Sequence, residues 1–174
     1  LAHVKNIHEI VESTYDLLSD QGIVAIEFHY AKEILNGNQY DSIYHEHLFY
    51  FNIKTLSDFF EKKNLFVFDA FESPISGGAM VLLFSKKKRK LSKKIKKLIK
   101  EENYSKVNSL SSWMNFAKNV KTHAKELNFV LKNISSKDKK VMGYGASARS
   151  STLLNYVKIT NKTIYQIIDK NPIK

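Results

Sequence analysis

The chain has 174 residues, of which 43% are hydrophobic and 26% charged, values typical of a globular protein. Its lack of cysteine excludes a disulfide framework, a cysteine-based zinc site and a thiol nucleophile within this stretch, and no apolar run is long enough to suggest a membrane span. Basic residues outnumber acidic ones by 28 to 17, but ten of the 28 lie in residues 86–100 (KKKRKLSKKIKKLIK), so the net charge alone does not indicate a nucleic-acid-binding protein.

The first third of the chain predicts an amphipathic helix, a strand and a loop. Residues 7–18 carry apolar side chains at helical spacing, and Gly22 is expected to end this helix as a left-handed cap. The β-branched run 23–28 predicts a buried strand, so that helix, glycine turn and strand form half of a parallel α/β unit. Residues 31–50 show no clean period and predict a loop with one helical turn.

Two strands and two helices follow. Asn52 predicts the N-cap of a helix ending near Asn64. Residues 65–71 alternate and predict a strand, residues 79–84 predict another, and a glycine-rich loop connects the two in a hairpin-like pair. Residues 86–100 predict a surface helix that buries Leu91, Ile95 and Leu98 and exposes its lysines. A longer helical pattern covers residues 110–134 and is broken at 135–138.

The last part of the chain predicts a strand over residues 140–146 that runs into a glycine turn, then a helix at 148–157 and a strand at 164–169. This order is the opening of a doubly wound sheet. We therefore expect the end of one α/β domain in residues 1–84, connecting helices in 85–136, and the start of a second domain in 137–174. Both ends of the chain are expected to be cut from a longer protein.

Tyr44-His45-Glu46-His47 is the densest cluster of reactive side chains. Its spacing does not fit a zinc-protease motif, because position 49, where the second histidine would fall, is Phe. General acid–base chemistry suits the cluster better, since histidine titrates near neutral pH. The alternative is a hydrogen-bonded polar loop at a domain edge.

Gly143-Tyr144-Gly145-Ala146-Ser147-Ala148-Arg149 follows a predicted strand and opens a predicted helix. Backbone N–H groups there would hold an anion, with Arg149 beside them. The sequence departs from G-x-G-x-x-G at Ala148, so close packing of strand against helix explains the glycines equally well.

Two further features have simpler interpretations. The segment 86–100 resembles a nuclear-localisation or nucleic-acid-binding run, but it contains no aromatic residue to stack on bases, and a solvated helix face is the favoured reading. His29 and His123 are interpreted as partly buried or surface histidines.

Three segments together carry a resemblance to a known family. They are Leu1-Ala2-His3-Val4, residues 40–51 (YDSIYHEHLFYF) and residues 143–156 (GYGASARSSTLLNY). Their order and spacing resemble the S-adenosylmethionine (SAM)-dependent C-methyltransferases that act on nucleotide-linked keto-deoxysugars. Residues 167–174 (IIDKNPIK) are similar to that family's VVDRSPLK element.

The resemblance implies the fold and the cofactors. It implies the tail of a SAM-methyltransferase Rossmann-like sheet, joined by long helices to the first part of a second Rossmann-like domain. The glycine-rich turn that holds SAM would lie upstream of Leu1, and zinc would belong only to a missing N-terminal domain, with no metal site in this chain. A cytoplasmic enzyme acting on a nucleotide sugar, without nucleic-acid or membrane partners, is expected, and this stretch alone is expected to be inactive.

The resemblance also implies residue roles. His47 is the candidate general base, with Tyr44 and Glu46 beside it and His3 facing the sugar, and the motif is expected to be irregular backbone. Substrate contacts are expected at five positions: Gly77, Gly78, Gly143, Gly145 and Arg149. The family often has His-Gly-Gly-Ser-x-Arg where this chain has Ser76-Gly77-Gly78-Ala79-Met80-Val81, and Lys where it has Arg149. These departures leave the sugar undefined.

Two other functions remain open on the sequence. One is a non-catalytic, Rossmann-like nucleotide-binding domain, which would follow if Tyr44 and His47 were buried structural residues. The other is a basic nucleic-acid-associated protein that uses residues 86–100, which strongly salt-dependent DNA binding would distinguish.

Overall fold

A computed structural model describes residues 1–135 and 139–173. The chain forms two compact units, the first made of Leu1–Gly37 and His45–Trp113 and the second of Asn38–Tyr44 and Met114–Lys174. The expected break between the long helix and the last domain falls at residues 136–138, outside the described residues. The three-part organisation therefore stays a prediction.

Helix α1 covers Ile7–Leu17 and confirms the first predicted helix. It begins at Asn6, whose side-chain oxygen accepts the backbone N–H groups of His8 and Glu9, as a good N-cap residue does. The expected left-handed cap at Gly22 is wrong, because Gly22 does not have a positive φ. The helix instead ends at Leu18, which is extended and whose N–H reaches the Thr14 carbonyl.

Three strands form the sheet of the first unit: β1, Val24–His29; β2, Phe66–Ser73; and β3, Ala79–Ser85. All three predicted strands are present, and β2 and β3 form the predicted hairpin. The expectation that the first strand is buried is wrong, because Phe28 alone of the six residues of β1 is buried. The sheet order is β1-β3-β2 with antiparallel pairs throughout. The parallel unit expected around β1 is therefore wrong for these strands, because the hairpin returns β3 against β1 in the opposite direction.

Two helices connect β1 to β2. Helix α2 covers Ala31–Asn36 and α3 covers Ile53–Glu61. A 3₁₀ turn at Tyr40–Ser42 lies between them, and residues 43–50 are irregular, close to the predicted loop. Asn52 caps α3 as predicted, through a reciprocal pair of side chain-to-backbone hydrogen bonds with Thr55, which satisfies two otherwise unpaired N–H groups.

Helix α4 covers Lys93–Ser105, so the prediction of one helix over residues 86–100 is wrong for its first seven residues. Ser92 caps α4 and also donates its N–H to the Phe68 carbonyl on β2. The buried stripe is confirmed at Ile95 and Leu98, and Leu91 is half-buried against the core. Residues 86–92 have no regular structure, and three of their cations lie over aromatic rings, a favourable contact: Lys86 over Tyr15, Lys88 over Phe66 and Arg89 over Phe68.

The core of the first unit lies between the sheet and its helices. Side chains from α1, α3 and α4 meet those of all three strands in one buried cluster, and the stacked rings of Phe60 and Phe84 have centroids 4.5 Å apart. Fully buried members include Val11, Ile53, Leu56, Phe60, Leu65, Met80, Leu82, Phe84 and Ile95. This packing makes α1, α3, α4 and the sheet one rigid body.

One carboxylate is buried in this unit. Glu102 on α4 is 1% exposed and accepts the N–H groups of Ile53 and Lys54, the first two residues of α3, at 2.6 and 3.0 Å. The hydroxyl of Tyr30 donates to the same carboxylate at 3.0 Å. Burial, reinforced by the Glu102 charge, raises the pKa of Tyr30 far above its usual range. The tyrosine therefore stays a proton donor to Glu102 at all ordinary pH values.

The second unit has its own short α/β motif. Helix α5, Leu110–Ser135, is followed by strand β4, Met142–Tyr144, helix α6, Ala148–Val157, and strand β5, Gln166–Ile168. Strands β4 and β5 are parallel, which confirms the predicted order of strand, glycine turn, helix and strand. No helix in the described parts of the chain is both long and apolar enough to span a membrane.

We expect Glu102→Gln to destabilise the protein by about 2–3 kcal/mol, because an amide NH₂ would face donors that now share a buried carboxylate. Urea denaturation measures the change in free energy of unfolding. Glu101→Gln is the matched control: it removes only an exposed ion pair with Lys97 and should change stability by less than about 0.5 kcal/mol. Equal stability of the two variants would contradict the structural role of Glu102.

Candidate active site

A cleft of about 200 Å³ opens in the first unit. Three histidines line it: His3 from the N-terminal segment, His29 from the end of β1, and His47 from the irregular segment before α3. Glu27 and Ser76 also line the cleft, together with Leu1, Ala2, Phe28, Ile75 and Ala79. The structure thus brings together two predicted site residues, His3 and His47, and adds a third histidine.

The backbone around His47 is irregular, with a turn at residues 45 and 46, as expected for this motif. A hydrogen bond from the Leu48 N–H to the Ala2 carbonyl, 2.8 Å long, ties this segment to the N-terminal one. It brings the rings of His3 and His47 to a centroid distance of 4.9 Å, edge to face. His47 is half-buried, while His3 is exposed.

His29 is the residue that sequence reasoning missed. Its ring lies edge-on to that of His47, with centroids 5.9 Å apart and an angle of 89°. The strand period could have found it. Alternate residues of a strand share one face, so extending the strand predicted at 23–28 by one residue places His29 on the same face as Glu27. From the sequence, His29 was interpreted as a partly buried or surface histidine, and it is half-buried.

The other members of the motif are placed differently. His45 and Glu46 are exposed and do not line the cleft. Tyr44 is half-buried and belongs to the second compact unit. The roles of Tyr44 and Glu46 beside the base therefore stay predictions.

Backbone geometry explains why glycine occupies positions 77 and 78 in the turn beside the cleft. Gly77 and Gly78 have φ values of 87° and 125°, which side chains with a Cβ rarely adopt. A Cβ on Gly78 would also lie 2.9 Å from Glu33 Cβ, and the Gly78 carbonyl accepts the Tyr30 N–H. The turn places Ser76 at the cleft wall, whereas substrate contact by the two glycines stays a prediction.

The second glycine turn, in the second unit, holds an internal carboxylate. The Ala146 N–H donates to Asp169 at 2.6 Å, and Arg149 pairs with Asp41 at 2.7 Å. A Cβ on Gly143 would lie 3.2 Å from Ile167 on the neighbouring strand β5, so packing of the strand against the helix at this glycine stays a prediction. Gly145, at φ 97°, allows the turn itself. An external anion at this turn would compete with two carboxylates, so anion binding by Gly143, Gly145 and Arg149 stays a prediction.

Within residues 1–135 and 139–173, no group of three or more histidine, aspartate or glutamate side chains is arranged to hold a metal ion. The ring of His47 lies edge to face with those of His3 and His29. This arrangement suits proton transfer, because an imidazole can both accept and donate a proton.

Comparison with known proteins gives the family. Residues 74–174, more than half of the chain, match the family model described as the C-methyltransferase C-terminal domain, and the chain belongs to that family. It is also 28% identical over 155 residues to C-methyltransferase NovU of Streptomyces niveus. The match covers 88% of this chain and 37% of the relative, so the chain spans little more than a third of the length of that protein.

We expect Gly78→Ala to destabilise the protein by about 1–3 kcal/mol, the cost of holding a residue with a Cβ in a sparsely populated backbone region. Gly37→Ala is the matched control, because Gly37 is exposed and has an ordinary φ of −86°. Thermal and urea unfolding measure both variants. If Gly78→Ala unfolds at the same denaturant concentration as Gly37→Ala, the turn does not need glycine at this position.

Proposed function

We propose that this chain is part of a SAM-dependent C-methyltransferase that removes a proton from the carbon next to the keto group of a nucleotide-linked deoxysugar and methylates that carbon. The observation that carries the proposal is the cleft in which His47 lies between His3 and His29. The membership in a C-methyltransferase family supports the reaction class, and the named relative supports it independently.

In the proposed reaction, a ring nitrogen of His47 takes the proton from the acidic carbon. The electron pair of the broken C–H bond moves to the keto oxygen, which becomes an enolate, and the carbon becomes nucleophilic. A positioned base of this kind contributes typically 10²–10⁴-fold to a rate. Glu46 is a weaker candidate, because it is exposed and does not line the cleft.

The cleft suits a sugar ring better than it suits the methyl donor. Pockets that bury a drug-sized ligand have volumes of roughly 300–1,000 Å³, whereas this cleft has about 200 Å³. This cleft therefore does not fit SAM as a whole, and the proposal assigns its residues proton removal and sugar binding only. The same limit holds for zinc, since the described residues form no metal-binding group.

Sugar contacts are proposed from the walls of the cleft. Ser76 presents a hydroxyl there and His3 an exposed imidazole, and both groups form hydrogen bonds with hydroxyls. We propose separately that Gly143, Gly145 and Arg149 of the second unit contact phosphate. Phosphate binding there requires Arg149 to exchange its 2.7 Å pairing with Asp41 for the phosphate, and a guanidinium binds both kinds of anion.

We expect His47→Asn in the full-length enzyme to lower the rate of proton removal by about 10²-fold or more, since an amide cannot take up the proton. Binding of the nucleotide sugar should be kept. The measurement is deuterium exchange at the carbon next to the keto group, followed in D₂O without SAM, which isolates proton removal from methyl transfer. Tyr44→Phe should cost less if Tyr44 only orients the ring or donates to the enolate oxygen.

His45→Asn is the matched control, because it makes the same chemical change two residues away, at an exposed side chain outside the cleft. It should exchange at the wild-type rate. Wild-type exchange in His47→Asn would show that the base lies elsewhere, with His3 or Glu46 next in line.

A further inference from the structure

His29 lies at the hydrogen-bonded end of a strand in the wall of the cleft. It is the last residue of β1 and pairs with Ala79 of the central strand β3. The next residue, Tyr30, is fully buried, donates its N–H to the Gly78 carbonyl and its hydroxyl to Glu102. Strand pairing and these two hydrogen bonds fix the backbone on both sides of the imidazole.

His47, in contrast, lies on irregular backbone. The rings of His3, His29 and Tyr50 all lie near its imidazole. Tyr50, at a centroid distance of 6.2 Å, belongs to the same irregular segment as His47, and His3 is exposed on the N-terminal segment. Only His29, of these three rings, is carried by a paired strand.

The geometry points to His29 as a positioning residue: we propose that its ring packs edge-on against His47 and fixes the direction in which the His47 imidazole faces the cleft. This inference rests on the proposed function for its consequence in catalysis. Edge-to-face pairs with centroids 4.5–7 Å apart are a favoured aromatic arrangement, and the observed 5.9 Å and 89° fall within it. Small misplacements of a catalytic group cost on the order of 10²-fold in rate.

The proposal predicts which property of His29 matters. If the ring acts by packing, phenylalanine preserves the function, because it keeps a planar ring of similar size. Glutamine keeps hydrogen-bonding capacity but not the ring, and alanine keeps neither. A residue that instead bound substrate by hydrogen bonds would show the opposite order of glutamine and phenylalanine.

The test uses the full-length enzyme and a nucleoside-diphosphate-linked 4-keto-6-deoxyhexose as probe, with deuterium exchange in D₂O as the readout. We expect His29→Ala and His29→Gln to lower kcat for exchange by about 10- to 100-fold with KM changed less than about twofold. His29→Phe should stay within about threefold of the wild type. His8→Ala is the control, because His8 also packs edge-on against a ring, that of Phe59 at 5.0 Å, but does not line the cleft.

Unchanged kcat in His29→Ala, a rise in KM alone, or an active His29→Gln beside an inactive His29→Phe would each overturn the proposal. If His29→Ala fails to fold by circular dichroism, the comparison of phenylalanine and glutamine decides the matter. Deuterium exchange at the wild-type rate in His47→Asn would instead refute His47 as the base. A crystal structure of His29→Gln would then test whether His29 positions the His47 ring. There, a rotated His47 ring supports positioning and an unmoved ring overturns it.

Discussion

The buried carboxylate of Glu102 is the interaction on which the first unit depends. An ionised group in a hydrophobic interior is costly unless its hydrogen bonds are satisfied, and here three donors surround it. Two are the N-terminal N–H groups of α3, where the helix dipole favours a negative charge. The third is the Tyr30 hydroxyl. One side chain therefore joins α4, the start of α3 and the end of β1.

That junction explains how an irregular segment carries a defined side chain. Residues 43–50 have no helix or strand of their own, but the segment ends where α3 begins, and Glu102 holds that point. The Ala31 N–H donates to the Phe51 carbonyl at 2.8 Å, and Leu48 is tied to Ala2. The backbone on the C-terminal side of His47 is thus held by two hydrogen bonds, and the rings of His3 and His29 pack against its imidazole.

The sequence predicted the local elements well and their assembly less well. Period and capping residues revealed α1, α3, α5 and the hairpin, because each signal is local: Asn52, for example, bonds to Thr55 only three residues away. The antiparallel pairing of β1 with β3 was missed because it joins residues that are distant in sequence, from Val24 with Phe84 to His29 with Ala79. The irregular form of residues 86–92 was missed because the contacts of this segment are tertiary: Lys86, Lys88 and Arg89 lie over rings on α1 and β2. His47 was found from its motif, whereas His29 required knowledge of where β1 ends.

We propose that the histidine-lined cleft receives the keto-bearing part of the substrate. A crystal structure of the full-length protein with a nucleotide-linked ketosugar bound is the decisive measurement. We expect the sugar ring to lie between His3, His47 and Ser76, with a ring nitrogen of His47 about 3 Å from the carbon that loses its proton. A sugar bound elsewhere, with water filling the cleft and the His47 nitrogens turned away from any substrate carbon, would contradict it.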